Sequence, residues 1–268
     1  MHAYVINLAN SLDRRVHVTA ELEKACLDYE FVTAVDGREL DLHDHATIAP
    51  SFLANVRCVA GTAGCAFSHL DVYRKIIDDG LEMALVLEDD VILPNDLGSL
   101  ADAVGNHLVG AEVALLSFDS RNPPGKMSRE GLIQLPSARQ LVLPIDISQP
   151  ISGAAFIITR EACERMIERA LPLRTEADEW CFYYREGILD RVRCVVPVSV
   201  YKNLKLASTI GSYTLGDSPF GRLVAPLLRR QIPLLHQLRS YRLKRIYHSY
   251  WRTEFVETPF IEKPSRLA

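Results

Sequence analysis

The residues most able to do chemistry are Glu88, Asp89 and Asp90, three consecutive carboxylates that end the apolar run Ala84-Leu85-Val86-Leu87. Adjacent acids repel, so a cation is expected beside them. The run from Met83 to Leu87 has the length and composition of a buried strand, and strand side chains alternate, which sends Glu88 and Asp90 to one side and Asp89 to the other. Two carboxylates at a strand end suit Mg²⁺ or Mn²⁺, which take oxygen ligands from one or two acids and from substrate phosphates. A metal bridging protein and nucleotide diphosphate is one reading of the triplet. A solvated acidic turn is the other.

The elements that must position this triplet are legible in outline. Ala3 to Leu8 reads as a strand, and Ser11 to Leu27 as a helix with Leu12, Val16 and Ala20 repeating on its inner face. A strand from Glu30 to Val35 ends at Asp36-Gly37, and an irregular insertion, 40–57, holds His43, Asp44 and His45, read as a solvated loop. Small residues from Gly61 to Ser68 open a helix that stops at Gly80; they suit either a phosphate at a helix N-terminus or close packing on a sheet. Helices are expected at 97–108 and 160–170, and strands at 112–117, 131–135, 140–143 and 192–200. Arg121 to Gly131, with Pro123, Pro124 and Gly125, has the composition of a loop able to close over a substrate. Alternating strands and helices with some antiparallel pieces indicate an α/β domain with a mixed sheet.

Composition narrows the function. The 268 residues are 48% hydrophobic, ample for a sizeable core, and 30 Lys plus Arg against 34 Asp plus Glu give a net charge of -4, which argues against a whole-chain nucleic-acid binder. Positive charge is concentrated late: no acid lies between Asp217 and Glu254, while Arg222, Arg229, Arg230, Arg239, Arg242, Lys244, Arg245 and Arg252 fall there among leucines and aromatics. Such a segment reads as basic helices lying on an anionic membrane or packed on the domain. The six cysteines have no C-x-x-C spacing and read as buried small hydrophobes. The first residues lack the pattern of a secretory signal, and no stretch reaches the roughly 18 apolar residues of a bilayer span, so the expected location is cytoplasmic, with peripheral contact at the inner face of the membrane.

Several blocks, in order, resemble glycosyltransferase family 25, which includes lipopolysaccharide and lipooligosaccharide galactosyltransferases and is similar to the collagen galactosyltransferases. They are Val5-Ile6-Asn7-Leu8 with Arg14-Arg15, Gly64-Cys65-Ala66-Phe67-Ser68-His69, Leu87-Glu88-Asp89-Asp90, Gly153 to Ile158 with Phe156 in place of a tyrosine, and Ala177-Asp178-Glu179. The resemblance implies a GT-A type nucleotide-binding fold: a mixed, mainly parallel sheet flanked by helices over 1–205, followed here by a basic, helical C-terminal extension at 206–268. It implies an inverting transfer of a hexose, galactose first, from a UDP-sugar to a saccharide acceptor, expected to be lipid-linked. In that scheme Mn²⁺ or Mg²⁺ sits on Asp90 and Glu88. Asn7, Leu8, Arg14, Arg15, Gly64, Ser68, His69, Glu88 and Asp89 line the donor site, and Asp178, with Glu179 as alternate, is the base. A non-catalytic carbohydrate-binding or interaction module of the same fold and a Mg²⁺-dependent nucleotidyltransferase are the competing readings. The glycine-free stretch Ala9 to Arg15 disfavours the second.

Overall fold

The computed structural model describes residues 1–56, 59–204, 206 and 249–257. In chain order they form β1 (Ala3–Asn7), α1 (Leu12–Lys24), β2 (Tyr29–Thr33), a 3₁₀ turn (Gly37–Glu39), α2 (Pro50–Asn55), α3 (Val59–Asp78), β3 (Met83–Glu88), β4 (Val91–Ile92) and α4 (Leu97–Gly105). There follow β5 (Glu112–Leu115), β6 (Asp119–Ser120), β7 (Gly125–Ser128), β8 (Ile133–Leu135), β9 (Arg139–Val142), β10 (Pro150–Ile151), β11 (Ala155–Thr159) and α5 (Arg160–Arg169). The rest comprises α6 (Trp180–Arg185), β12 (Arg191–Val196), β13 (Tyr201–Lys202) and β14 (Thr253–Val256).

Eight strands make one sheet in the order β2-β1-β3-β11-β5-β12-β9-β8. β2, β1, β3, β5, β12 and β8 run one way, whereas β11 and β9 run the other. The sheet is therefore mixed and mainly parallel, as expected. Helices cover both faces, and the period-2 alternation of the strands supplies both layers. Tyr4, Ile6, Val86, Phe156 and Ile158 join Tyr73, Ile76, Met166 and Trp180 on one side. Val5, Leu85, Leu87 and Ile157 meet Val18, Leu22, Leu97 and Leu100 on the other.

The structure corrects the inner face of α1. Leu12 and Val16 are 65% and 72% exposed, Ala20 is also exposed, and the buried stripe is Arg14, Val18 and Leu22. The helix is turned because Arg14 reaches the carboxylates after β3, and the residues four and eight positions on follow it inward. The glycines of α3 also have a different setting. The helix begins at Val59, so Gly64 lies inside it, where a Cβ would come within 2.7 Å of the Gly37 nitrogen and the Val35 oxygen. Of the two settings, it is close backbone packing that places Gly64 here.

Of the basic extension 206–268, residues 207–248 and 258–268 lie outside the described residues, and with them all of its expected membrane face, Arg222 to Arg252, except residues 249–252. Residues 249–257 return to the domain, where β14 pairs in parallel with β7. Among the described residues no helix is long and apolar enough to cross a membrane. No described cysteine is disulfide-bonded: Cys163, Cys181 and Cys194 are buried as expected, Cys65 is half-buried, and Cys26 is exposed, contrary to the sequence reading, because it follows the end of α1 in a left-handed conformation.

Candidate active site

β3 lies between β1 and β11 in the sheet and ends at Glu88, whose backbone N–H donates to the Ala154 carbonyl at 2.9 Å. The chain then turns, and the three acids separate into different jobs. Asp89 is buried against Asn7 at the end of β1, whose Nδ2 donates to its Oδ2 at 2.7 Å, and against Arg14, whose Nε lies 3.1 Å from its Oδ1. Arg14 also pairs through Nη2 with Asp90 Oδ2. Arg14 is thus the cation beside the acidic triplet, only 8% exposed and held from both sides. Burial raises the Asp89 pKa, against the lowering pull of Arg14 and the Asn7 hydrogen bond.

Glu88 faces a different set of charges. Its surroundings are Asp90, Asp178, Lys202 and Arg14, and burial followed by the Asp90 charge pushes its pKa up to about 7. Asp178 has no hydrogen bond or ion pair to another side chain among the described residues. Its place is set by Trp180 two residues on, fully buried, whose Nε1 donates to the Ser152 carbonyl at 3.1 Å and whose ring meets Phe156 edge-on at 5.1 Å. Gly153 separates Asp178 from His69: a Cβ there would lie 3.2 Å from His69 Nε2 and 3.6 Å from Asp178 Cβ. Ser152, at φ 129, carries backbone strain beside this gap.

Glu179 has a separate fate. It pairs with Arg121 at the start of the Pro-rich loop, which ties that loop to the N-terminal end of α6. His69 stacks on Phe156 at 5.8 Å, and its Nδ1 lies 2.9 Å from the Cys65 carbonyl. A carbonyl only accepts, so Nδ1 carries the proton, and burial lowers the pKa of the ring. Ser68 accepts from the Val35 N–H at 2.8 Å and donates to the Gly64 carbonyl at 2.6 Å, fastening α3 to the chain after β2. Leu8 is half-buried just beyond β1, and Arg15 is exposed with its guanidinium 4.0 Å from the centre of the Phe31 ring.

Three participants escaped the sequence reading. Asp119, just beyond β5, accepts from Trp251 Nε1 at 3.0 Å and lies 3.9 Å from Lys202 Nζ, and Lys202 senses Glu88, Asp119, Asp178 and Asp90 together. Asp119 carried a local signal, an acid that closes the buried run 113–118, although it opens β6 and does not end β5. Lys202 and Trp251 carried none, since their partners lie far away in sequence. Among the described residues no three His, Cys, Asp or Glu side chains converge as a complete metal cage. The arrangement offers instead two carboxylates, Glu88 and Asp90, on one wall, with Asp90 Oδ1 buried and without a hydrogen-bond partner. Lys202, 3.9 Å from Asp119, feels the charges of Glu88, Asp178 and Asp90 as well.

The raised Glu88 pKa has a measurable sign. A carboxyl that keeps its proton more tightly when folded favours the folded state fully below its ordinary value of 4.5, and that contribution is lost as pH rises through about 7. Glu88→Gln cannot ionise. It is expected to melt close to wild type at pH 5 and above it at pH 8, by about 1 kcal/mol or a few degrees once solvent screening is allowed for. Equal melting curves at both pH values would show that Glu88 ionises normally.

A family model described as glycosyltransferase family 25 (LPS biosynthesis protein) matches residues 1–181. The chain is 25% identical over 183 residues to "Probable inactive glycosyltransferase 25 family member 3" of Bos taurus, covering 63% of this chain and 31% of that protein. It is 33% identical over 95 residues to procollagen galactosyltransferase 2 of Homo sapiens, covering 33% and 15%. The match thus spans a third or less of these curated relatives. Among solved structures, a glycosyltransferase involved in the glycosylation of the major capsid of PBCV-1 superposes with a TM-score of 0.35 at 11% identity, covering 72% of this chain and 80% of that one.

Proposed function

Because the chain belongs to glycosyltransferase family 25, we propose that it is an active, metal-dependent, inverting transferase. It moves a hexose, galactose first, from a UDP-sugar to a saccharide acceptor in lipopolysaccharide, lipooligosaccharide or related glycan assembly. The observation that carries this reading is that the end of β3 ties Glu88 to Ala154, whose neighbour Gly153 lies against Asp178, with Asp90 two residues on from Glu88. Glu88 and Asp90 fit a hard divalent ion, Mn²⁺ or Mg²⁺. Among the described residues Asp90 Oδ1 is buried without a hydrogen-bond partner and Glu88 makes no ion pair, and such ions need only one or two protein carboxylates when phosphates complete the shell. When bound, the ion supplies positive charge to the departing diphosphate.

The other steps belong to the chain's own side chains. Inversion needs a base on the side opposite the leaving group, within hydrogen-bond reach of the acceptor hydroxyl. Asp178 suits that task because its carboxylate is not engaged by another described side chain, whereas Glu179 is occupied by Arg121. Arg14 and Asn7 hold Asp89 and keep the turn that presents Asp90. Ser68 and Gly64 act on the donor site through the backbone they fasten, and Leu8 and Arg15 lie where the first strand and helix meet.

A non-catalytic member of the fold is the second reading, favoured by the inactive relative's name and by the hold of Arg14 on Asp90. Calorimetric titration of UDP with Mn²⁺, then with EDTA, separates the two. Binding that appears with metal and vanishes on chelation is expected. No binding in either condition overturns the transferase reading in favour of the module, and release of pyrophosphate in place of UDP would make the protein a nucleotidyltransferase.

A further inference from the structure

We propose that Lys202 is a donor-site residue whose ammonium group contacts the β-phosphate of the bound nucleoside diphosphate and stabilises it as it leaves. This rests on the transferase reading above. The anomeric C–O bond to the β-phosphate breaks with its electron pair moving to the phosphate oxygen, and Lys202 stays protonated throughout, donating a hydrogen bond to that charge.

The position of Lys202 is fixed by backbone. β13 pairs antiparallel with β4, which sets Lys202 opposite Val91, and the next N–H, of Asn203, donates to the Asp90 carbonyl at 2.6 Å. The residue is therefore held beside the acidic turn whatever its side chain does. Its ammonium lies 3.9 Å from Asp119 Oδ2, within electrostatic reach of Glu88, Asp178 and Asp90.

Among the described residues two cations serve this cluster, and they are held differently. Arg14 is buried and closed on Asp89 and Asp90. The Lys202 ion pair with Asp119 is at 3.9 Å, the outer limit for such a pair, and 30% of its side chain is exposed. A flexible four-carbon stem so loosely tied can re-aim at an arriving anion, which a forked, doubly paired guanidinium cannot do without breaking a buried pair.

Charge balance supplies the need. A nucleoside diphosphate brings two or more negative charges into a site walled by Glu88, Asp90, Asp119 and Asp178. One divalent ion and Arg14 together offset only Glu88, Asp89 and Asp90. A second positive group aimed at the phosphates is required for binding and for charge development on the leaving oxygen.

The test titrates UDP and UMP into wild type, Lys202→Met and Lys202→Arg with Mn²⁺ present. Lys202→Met is expected to weaken UDP about tenfold or more and UMP at most about threefold, with Lys202→Arg within about threefold of wild type for both. Unchanged UDP affinity in Lys202→Met, or equal losses for UDP and UMP, overturns the assignment while leaving the transferase reading in place. Wild type that binds neither nucleotide overturns the transferase reading itself. Should Lys202→Met fail to fold, acetylation of surface amines in the wild type gives the answer by mass spectrometry. UDP is expected to shield Lys202 and UMP to leave it reactive, and labelling unaltered by UDP overturns the proposal.

Discussion

Asp178→Asn is expected to bind UDP as wild type does and to lose transfer by about 10²–10⁴-fold, the contribution typical of a positioned general base. The amide keeps the size of the carboxyl and cannot take the proton of the acceptor hydroxyl. Stability should change little, because Asp178 is only partly buried and makes no hydrogen bond or ion pair with another described side chain that the substitution would break. The paired measurement is UDP titration alongside consumption of UDP-galactose with a saccharide acceptor. Glu179→Gln is the control: it releases Arg121 and the Pro-rich loop, and it should reduce transfer far less than Asp178→Asn. Full turnover in Asp178→Asn would move the base elsewhere, and Asp119 is the next carboxylate that the fold brings to the cluster.

The parts of this site that were legible in the sequence are those whose cause is local. An apolar run ending in acids specifies a buried strand with a charged end, and β3 with Glu88 is that. The mixed, mainly parallel sheet followed from alternating elements. The rotation of α1 was not legible, because Leu12/Val16/Ala20 and Arg14/Val18/Leu22 have the same helical spacing and the choice is made by carboxylates 75 and 76 positions from Arg14. Hydrophobicity alone favours the first stripe, and a buried ion pair selected the second. The antiparallel insertion of β11 between β3 and β5 is likewise set by partners distant in sequence. Lys202 and Trp251 reach the cluster only because β13 and β14 pair with β4 and β7.

Neighbouring acids in the triplet should fail in opposite ways, and that contrast tests the division of labour most sharply. Asp90→Ala is expected to remove the metal-dependent part of UDP binding, so that titration in Mn²⁺ matches titration in EDTA, a loss of about 10²-fold for a site whose cation rests on two carboxylates. Its fold should persist with a smaller loss of stability, since Arg14 gives up the more exposed of its two carboxylates and retains Asp89 through Nε at 3.1 Å. Asp89→Ala removes the more buried of the two carboxylates on Arg14 and, with it, the carboxylate that Asn7 Nδ2 bonds, so two buried groups lose a partner at once, at a cost of about 3 kcal/mol or more. That variant should melt well below wild type. Chemical denaturation of both variants, read beside the titrations, decides the matter. Retained metal dependence in Asp90→Ala would place the ion elsewhere. Wild-type stability in Asp89→Ala would mean that the buried pair with Arg14 is not what holds the turn, and the reason given for the rotation of α1 would fall with it.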